Sequence, residues 1–331
     1  MIHPLLTAAE RITATLLLPD APVVDRADRV PEEHFSALAE AGLYGVEAAE
    51  ALVDTDRWLI TEVLASGCMS TAFVWIQHHS AVRALLGSGN AAMRRAWIDD
   101  LLAGRRTAGI AIGGVRPPTP SLQAAVDGSG WRLTGDVPWV TGWGLVDAFL
   151  VGAATLDGRE VWSLVTLDDR LGLAAERHRL VAADASVTVR LTFDEVLVHE
   201  SELIGVEPRR LVDPGDGGGR SNGSLALGVV RRAVALMGPS RLDEELEVVR
   251  RRLDEAGEAG MAAARAVGSE LALRAAARFT VHTGSGAVDS GGPAERLSRE
   301  AQFTAVFGTR PAIKTSLLGL LDGVLPPVRA T

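Results

Sequence analysis

The sequence predicts an α+β protein in which a middle β domain separates two helical regions. In both outer regions the apolar residues recur every three to four positions, whereas in the middle they alternate with polar residues. These two changes of period place the boundaries. We expect an N-terminal helical domain at 1–105, a middle antiparallel β domain at 106–206 and a C-terminal helical bundle at 207–331.

The N-terminal region contains five segments with helical spacing. They read AERITATLL, PEEHFSALAEAGL, DRWLITEVLASG, STAFVWIQHHSAVRALLG and NAAMRRAWIDDLLAG. Several of them end at a glycine, which is a common helix stop. The region is therefore predicted to be helical throughout.

The middle region contains the clearest strand, SVTVRLTF. Its alternation places Val187, Val189, Leu191 and Phe193 on one face, with polar residues such as Thr188 on the other, as in a half-buried strand. Further strands are predicted in RTAGIAIGGV, GWRLTGDVPWVT, VDAFLVGAATL and EVWSLVTL, separated by turn signals such as DGSG and LDGRE. Together they indicate a small antiparallel sheet.

The C-terminal region returns to helical spacing after the glycine-rich stretch DPGDGGGRSNG. Gly238 and Pro239 separate the first two helices, and Pro293 suits the first turn of a helix, where its missing N–H has no cost. We expect an antiparallel bundle of four helices at about 222–237, 240–256, 258–280 and 293–320.

Composition excludes several classes of function. A net charge of −9 argues against nucleic-acid binding, which needs a basic face. The single cysteine, Cys68, excludes an internal disulfide framework and fits a reducing compartment. The N-terminus lacks the pattern of a signal peptide, and the longest apolar runs are too short for a membrane span. We expect a cytoplasmic protein without a membrane partner.

Three tryptophans lie close together in the predicted strand region. Trp139 and Trp143 flank Thr141, and Trp131 lies just upstream. Large rings around a small hydroxyl can pack in a core, but a flat apolar ligand also needs an aromatic wall with a few placed polar groups. We expect Trp131 and Trp143 to be core residues and Trp139 to belong to such a wall.

The order of these regions and five motifs resemble the acyl-CoA dehydrogenase family over nearly the whole chain. The motifs are LAEAGLYGV, GSGNAAMRRAWIDDLLAGRRTAGIAI, GWRLTGDVPWVTGW, LTFDEVLVHESELIG and PAERLSREAQFTAVFGTRPAIK. The resemblance implies a flavoprotein oxidoreductase that binds FAD and acts on an acyl-CoA or a related thioester. It also implies a homodimer or homotetramer, or a hetero-oligomer with a homologue.

The same resemblance assigns the residues of a flavin wall. It implies that Trp139 packs against the isoalloxazine ring and that Thr141 offers its hydroxyl near N5. The end of the preceding strand would give backbone N–H groups of Ile112, Gly113 and Gly114 to the pyrimidine edge. Family members usually have Thr-Glu-Pro here, so a side-chain hydroxyl contact is lost, whereas backbone donation is kept.

Three departures from the family pattern bear on the chemistry. The usual base is a glutamate before the C-terminal Gly-Thr, but here Phe307 precedes Gly308, and Thr309 remains as a cofactor residue. An Arg-x-x-Phe-Gly segment that reaches a neighbouring subunit's FAD is missing. The glycine turn for the dinucleotide keeps Gly284 and Gly286 in TGSGAV but lacks its aromatic residue.

Other polar residues have simpler interpretations. Arg220 is one residue out of register with an arginine that faces the acyl-CoA in relatives, and it is our candidate substrate-binding residue. His78 and His79 are adjacent on a helix and cannot easily share one metal ion, so they are interpreted as structural or cleft-lining, and no metal is expected. The nearest acids that could replace the base are Asp216, Asp243, Glu244 and Glu245, while Arg296, Arg299 and Glu300 are expected to form a buried structural network.

Three functions remain open from the sequence. The first is oxidation of an acyl thioester with a relocated or absent base, since removal of an α-proton needs a proton acceptor. The second is a flavin-dependent monooxygenase. The third is a catalytically silent subunit that pairs with an active homologue.

Overall fold

The computed structural model describes residues 2–116, 119–167, 170–209, 219–308 and 310–324. It confirms the predicted order of helices, sheet and helices. The N-terminal helices are α1 (Pro4–Ile12), α2 (Leu18–Val24), α3 (Glu32–Glu40), α4 (Asp54–Gly67), α5 (Met69–Leu86) and α6 (Ala91–Ala103). Local signals fix their ends: the Asn90 side chain accepts from the Met93 N–H at the start of α6, and Gly104 ends α6 in the left-handed conformation.

The middle region forms one sheet. Its strands are β1 (Ala108–Ala111), β2 (Leu122–Asp127), β3 (Gly130–Thr141), β4 (Ala148–Ala154), β5 (Arg159–Thr166), β6 (Leu173–Arg177), β7 (Thr188–His199) and β8 (Leu203–Pro208). The order is β6-β7-β3-β2-β4-β5-β8, with β1 beside β4. The sheet is antiparallel except that β4 runs parallel to β1 and β2.

The predicted alternation in β7 holds for Val189, Leu191 and Phe193, which are all buried. Thr188 departs from it because it is also buried, although the sequence placed it on the polar face. Thr188 can be buried because its hydroxyl forms a hydrogen bond with that of Thr141, its partner on the neighbouring strand β3. A buried hydroxyl with a partner loses little on leaving water.

The C-terminal helices are α7 (Gly219–Met237), α8 (Arg241–Asp254), α9 (Glu258–Thr283), α10 (Pro293–Val306) and α11 (Pro311–Leu321). The single helix expected over 293–320 is wrong, because the chain leaves the helix after Val306. Phe307 has an extended backbone, Gly308 has a φ of +57°, and Pro311 begins the next helix. Gly308 and Pro311 were the sequence signals for this break.

Helix α5 is the element that joins the three regions. Of its described side chains, Phe73 belongs to the core shared by the N-terminal and C-terminal helices, and Val74 belongs to the core of the sheet. Val82, two turns further on, packs with Trp97 and the start of the sheet. Across the described ranges, no helix has both the length and the apolar content needed to span a bilayer.

Candidate functional site

Trp139 protrudes from β3 at a β-bulge. The pairing of β3 with β7 advances three residues on β3, from Val137 to Val140, while it advances two on β7. Pro138 has no N–H to offer a ladder, and Trp139 has a φ of +59°, which is rare and strained for a bulky residue. The bulge leaves Trp139 65% exposed, whereas Val137 and Val140 are fully buried.

His178, which directly follows β6, stacks on Trp139. The ring centroids lie 4.4 Å apart and the planes are inclined by 24°. Since one face of the indole is covered by His178, its exposed area lies on the opposite face and the edge. The Nε2 atom of His178 is buried without a hydrogen-bond partner among the described residues. The sequence analysis missed His178, because nothing in the chain order indicates that it meets Trp139.

The loop that follows His178 is tightly fixed by Asp184. This carboxylate accepts from the Leu180 N–H at 2.8 Å and from the guanidinium groups of Arg177 and Arg179 at 3.2 and 3.1 Å. The His178 N–H also donates to the Thr188 carbonyl at 2.9 Å. These hydrogen bonds fix the backbone of His178 and the loop that follows it, and so hold the imidazole against Trp139.

Thr141 lies at the end of β3 in a short chain of hydroxyl groups. Its Oγ1 is 3.0 Å from Oγ1 of Thr188, which is 3.3 Å from Oγ of Ser186, and all three residues are buried. A hydroxyl has one proton and two lone pairs, so Thr141 can make a further hydrogen bond while it keeps this one. The chain of hydroxyls restricts the rotamer from which it would do so.

The glycine turn after β1 lies directly against the Trp139 bulge. Gly113 and Gly114 form a single 3₁₀ turn with Val115. A Cβ atom on Gly114 would be 2.6 Å from Cβ of Leu122, and one on Gly113 would be 3.4 Å from the Pro138 carbonyl oxygen. The turn can approach the start of β2 this closely only because Gly114 has no side chain.

Five of the predicted residues lie on two neighbouring stretches of backbone, and we call this set the indole wall. It consists of Ile112, Gly113, Gly114, Trp139 and Thr141. Its members come from two neighbouring stretches of backbone, the turn after β1 and the end of β3. Their role in cofactor binding remains a prediction.

Phe307 lies in a cluster of three aromatic rings, which we call the phenylalanine cluster. Its ring centroid is 4.6 Å from that of Phe73 on α5 and 5.4 Å from that of Phe303 on α10. Phe73 and Phe303 are 5.0 Å apart in an edge-to-face arrangement. Phe73 is buried, whereas Phe303 and Phe307 are partly buried. The rings are therefore in mutual van der Waals contact.

Arg265 on α9 holds the backbone that carries Phe307. Its Nη2 donates to the Phe307 carbonyl at 3.2 Å and its Nη1 to the Gly219 carbonyl at 3.4 Å. Burial and the nearby charge of Arg310 lower the pKa of Arg265 to about 10, so it stays protonated at neutral pH. Arg265 lies among the buried residues of α9 between Met261 and Gly268, a position that the sequence alone did not assign to any carbonyl partner.

Helix α5 links the phenylalanine cluster to the end of β3. Phe73 contributes to the cluster, and the next residue, Val74, packs near Gly142, directly after Thr141. Successive residues of a helix point about 100° apart, and Phe73 and Val74 accordingly lie in different cores, that of the helices and that of the sheet. Helix α5 therefore lies between the two groups.

The remaining predicted residues lie elsewhere. Arg220 is buried, with a guanidinium nitrogen 2.6 Å from Asp254, a bond to Ser224 and a position over the ring of Trp58. Its charge is compensated within the bundle, so this geometry gives no support to the expected substrate contact. Thr309 lies outside the described residues.

Gly284 and Gly286 lie in the turn that follows α9, with open space around both. Gly284 is 19 residues beyond Arg265, or about 28 Å along the helix axis. Within one chain, the glycine turn is therefore far from Arg265 and from the phenylalanine cluster that it contacts.

The candidate substitute acids are largely engaged. Asp243 caps α8 by accepting from the Ser240 N–H at 2.7 Å, Glu245 is buried in an ion pair with Arg274, and Glu244 is exposed. Asp216 lies outside the described residues. These acids on α8 have structural roles or face solvent.

Glu300 on α10 is a different kind of acid. It is buried with Arg296, whose Nε lies 3.6 Å away, and burial raises the pKa of Glu300 to about 7. Arg299, beside it, pairs with Asp25 at 2.6 Å. Glu300 lies one turn before Phe303 on the same face of α10. It belongs to the network that the sequence analysis expected to be structural.

The two adjacent histidines of α5 differ. His78 contacts the Leu101 carbonyl at 3.1 Å and accepts from the Ala108 N–H at 3.2 Å, and burial lowers its pKa to about 4. His79 is buried against Trp75. The part of the chain that the structure describes holds no group of three or more His, Cys, Asp and Glu side chains arranged for a metal ion.

Comparison with known proteins gives a match at both the sequence and the structural level. Residues 3–105 match the family model described as acyl-CoA dehydrogenase, N-terminal domain. The short-chain specific acyl-CoA dehydrogenase, mitochondrial, of Sus scrofa is 24% identical over 203 residues, which is 57% of this chain and 49% of that protein. The chain thus spans about half the length of this curated relative.

Solved structures match over nearly the whole chain. The butyryl-CoA dehydrogenase from Megasphaera elsdenii superimposes with a TM-score of 0.82 at 18% identity, covering 96% of this chain and 97% of that one. A glutaryl-CoA dehydrogenase from Mycobacterium smegmatis in complex with FADH2 gives 0.79 at 18% identity, covering 96% and 94%. At these identities the likeness establishes the fold.

Proposed function

We propose, on the match of its N-terminal region and on its fold, that this chain is a member of the acyl-CoA dehydrogenase family and a flavin-dependent oxidoreductase that acts on an acyl thioester. The flavin would bind at the indole wall. The activity, the substrate and the cofactor are all part of this proposal.

The observation that supports it most directly is the exposed face of Trp139. An indole that is 65% exposed between the buried residues Val137 and Val140 leaves a large apolar area in water, at roughly 25 cal/mol per Å². The strained backbone and the stack on His178 hold this area in one orientation. A flat ring system placed on that face would bury it.

The residues of the indole wall fit an isoalloxazine ring. Trp139 offers an open aromatic face and Thr141 a hydroxyl of restricted orientation, beside the turn that carries Gly113 and Gly114. When bound, a flavin supplies a two-electron acceptor. The chain's own residues would orient that acceptor and shield one side of it from water.

The adenylate half of FAD has less support within one chain. Gly284 and Gly286 lie about 28 Å along α9 from Arg265, and thus apart from the phenylalanine cluster. We propose that a second copy of the chain, or a homologue, brings this turn to the indole wall. This requirement is the basis for proposing an oligomer.

The proton acceptor is the open part of the chemistry. Oxidation of an acyl thioester removes an α-proton, and a phenylalanine at position 307 cannot accept it. The proposal therefore includes a relocated base. The phenylalanine cluster favours a second candidate, a flavin-dependent monooxygenase, because that chemistry does not begin with α-proton removal from a thioester.

The experiment that tests the proposal starts with the absorption spectrum of the purified full chain and identification of any released flavin. Stoichiometric flavin that bleaches anaerobically with butyryl-CoA supports the proposal. Flavin that does not bleach, together with oxygen consumption when reduced flavin is supplied, supports the monooxygenase. If the chain binds no flavin even after incubation with FAD or FMN, the proposal is wrong and a silent subunit is the better interpretation.

A further inference from the structure

We infer that Arg299 and Asp184 are positioning residues for Trp139, because they fix the loop whose first residue, His178, stacks on the indole. Where it concerns flavin affinity, this inference rests on the proposed function, whereas the orientation of Trp139 can be measured without flavin. It gives Arg299 a part in the site that goes beyond the structural network in which the sequence analysis placed it.

The loop between β6 and β7 needs support from outside. It spans residues 178–187, and we call it the His178 loop; its regular part is the single 3₁₀ turn Asp184–Ser186. The residues on either side of that turn, Ala183 and Val187, have φ values of +56° and +49°. A non-glycine backbone of this kind is strained and persists only where its surroundings hold it.

Arg299 supports the His178 loop from α10. Its Nη1 donates to the Val181 carbonyl at 2.7 Å, and its two terminal nitrogens donate to both oxygens of the Asp25 carboxylate at 3.1 and 2.6 Å. Glu295, one turn earlier on α10, pairs with the same guanidinium. Because two carboxylates already order this planar group, the bond to Val181 ties the loop to a fixed donor.

Asp184 supports the loop on both sides of the imidazole. Its carboxylate accepts from Arg177 and Arg179, the residues directly before and after His178. The same two arginines reach Asp28 in the N-terminal region: Arg179 donates to its carboxylate at 2.9 Å and Arg177 to its carbonyl at 2.7 Å. An isolated surface ion pair contributes little, but here four charged groups form one network around His178.

The imidazole transmits this support to the indole. Trp139 is 65% exposed, and the stack on His178 restricts the plane of its ring. An exposed side chain that is free to change rotamer must be ordered when a ligand binds, which weakens the binding. Loosening of the His178 loop should therefore weaken flavin binding, although neither Arg299 nor Asp184 belongs to the indole wall.

The first test measures the orientation of Trp139 in the full chain before flavin is added. In protein labelled with 5-fluorotryptophan, the fluorine resonance that disappears in Trp139→Phe belongs to this residue, and its chemical shift in His178→Ala gives the value without the stack. We expect Arg299→Gln to move the resonance toward that value. Asp184→Asn, which loses the charge but keeps a hydrogen-bond acceptor, should move it the same way and provides the test if Arg299→Gln does not fold.

Arg274→Gln is the matched control for Arg299→Gln. The Arg274 side chain also bridges two glutamates, Glu270 on its own helix and Glu245 on α8, and it is 28% exposed against 25% for Arg299. Its loss should therefore lower the stability of the bundle to a similar extent. It should leave both the Trp139 resonance and the flavin Kd unchanged.

The second test determines whether Arg299 acts through His178. The Kd for FAD, measured by fluorescence titration, should rise about three- to tenfold in Arg299→Gln. Two residues that act on the same contact are not additive, so Arg299→Gln should cause no further rise in a protein that already carries His178→Ala. Additive increases, or a lower unfolding temperature with an unchanged Kd, would overturn the inference.

The two tests separate this inference from the proposed function. If the wild type binds FAD but the Trp139 resonance stays in place in both Arg299→Gln and Asp184→Asn, the positioning role is wrong and the proposed function is unaffected. If the wild type binds no FAD, the proposed function is wrong. In that protein a resonance that still moves in both variants supports the positioning of Trp139, and one that does not move overturns it.

Discussion

The imidazole of His178 lies 4.4 Å from the indole of Trp139 and nearly parallel to it. This contact joins two segments that are 39 residues apart in the chain and fixes the plane of a ring that is otherwise mostly in solvent. The proposed flavin wall therefore depends on a residue that does not itself belong to the exposed surface. The first two predictions separate the contributions of these two rings.

Trp139→Ala should weaken flavin binding. Loss of the ring removes both the stacking contact and the apolar area that a flavin would cover, together about 2–4 kcal/mol, or roughly 30- to 1,000-fold in Kd. The measurement is the flavin Kd by fluorescence titration. Thr141→Val is the matched control, which should retain flavin but shift its spectrum or midpoint potential. If Trp139→Ala binds flavin with the wild-type Kd, the proposal that the flavin lies on Trp139 is refuted.

Replacing His178 should weaken flavin binding only when the ring is lost. His178→Phe keeps an aromatic plane under Trp139, so we expect a flavin Kd within about threefold of the wild type. His178→Ala leaves the indole free to rotate, and part of the binding energy is then used to order it, so Kd should rise about tenfold. His282→Ala, at an exposed position, controls for non-specific effects. If His178→Phe binds flavin as weakly as His178→Ala, then the loss of affinity comes from removal of the unpartnered Nε2 and not from loss of the stacked ring.

Phe307→Glu should introduce a base where the family pattern has one. A positioned base typically contributes 10²–10⁴-fold, so anaerobic reduction by butyryl-CoA should accelerate by about this factor. The apolar rings of Phe73 and Phe303 would raise the pKa of the new carboxyl, and the rate should increase with pH as this group ionises. Phe307→Gln is the control of equal size. Equal rates in the two variants would show that a base elsewhere already limits the reaction.

Glu300→Gln should change how stability depends on pH. Burial raises the pKa of Glu300 from its ordinary value of 4.5 to about 7, so the folded state binds this proton more tightly than the unfolded state does. The stabilisation is complete below about pH 4.5 and is lost as pH rises through about 7, which amounts to about 3 kcal/mol.

Glutamine does not titrate. The free energy of unfolding of Glu300→Gln should therefore rise relative to that of the wild type as pH increases from about 4.5 to about 7. Urea unfolding at pH 5, 6, 7 and 8 measures it. Glu244→Gln, at an exposed position on α8, should show no such trend. A pH-independent difference for Glu300→Gln would mean that Glu300 is ionised throughout, paired with Arg296.

The order of the three regions was predictable because each has a long run of one hydrophobic period. The residues of the indole wall were named from the family resemblance of two motifs that are close in the sequence, and their role in cofactor binding stays a prediction. The phenylalanine cluster was not predictable, because Phe73 and Phe303 are 230 residues apart and neither departs from the pattern of an ordinary core helix. The position of Arg265 was likewise set by tertiary packing, and no local rule indicates which carbonyl a buried arginine will meet.

The left-handed backbone of Trp139 implies a conflict between two selective pressures. A bulky residue at a φ of +59° costs about 1–3 kcal/mol, which a glycine at the same place would recover. Mutational screens that reward thermostability alone should therefore enrich glycine at position 139, and the proteins they yield should be more robust but have lost the aromatic face. At position 139 the exposed aromatic face and the stability of the bulge therefore oppose each other.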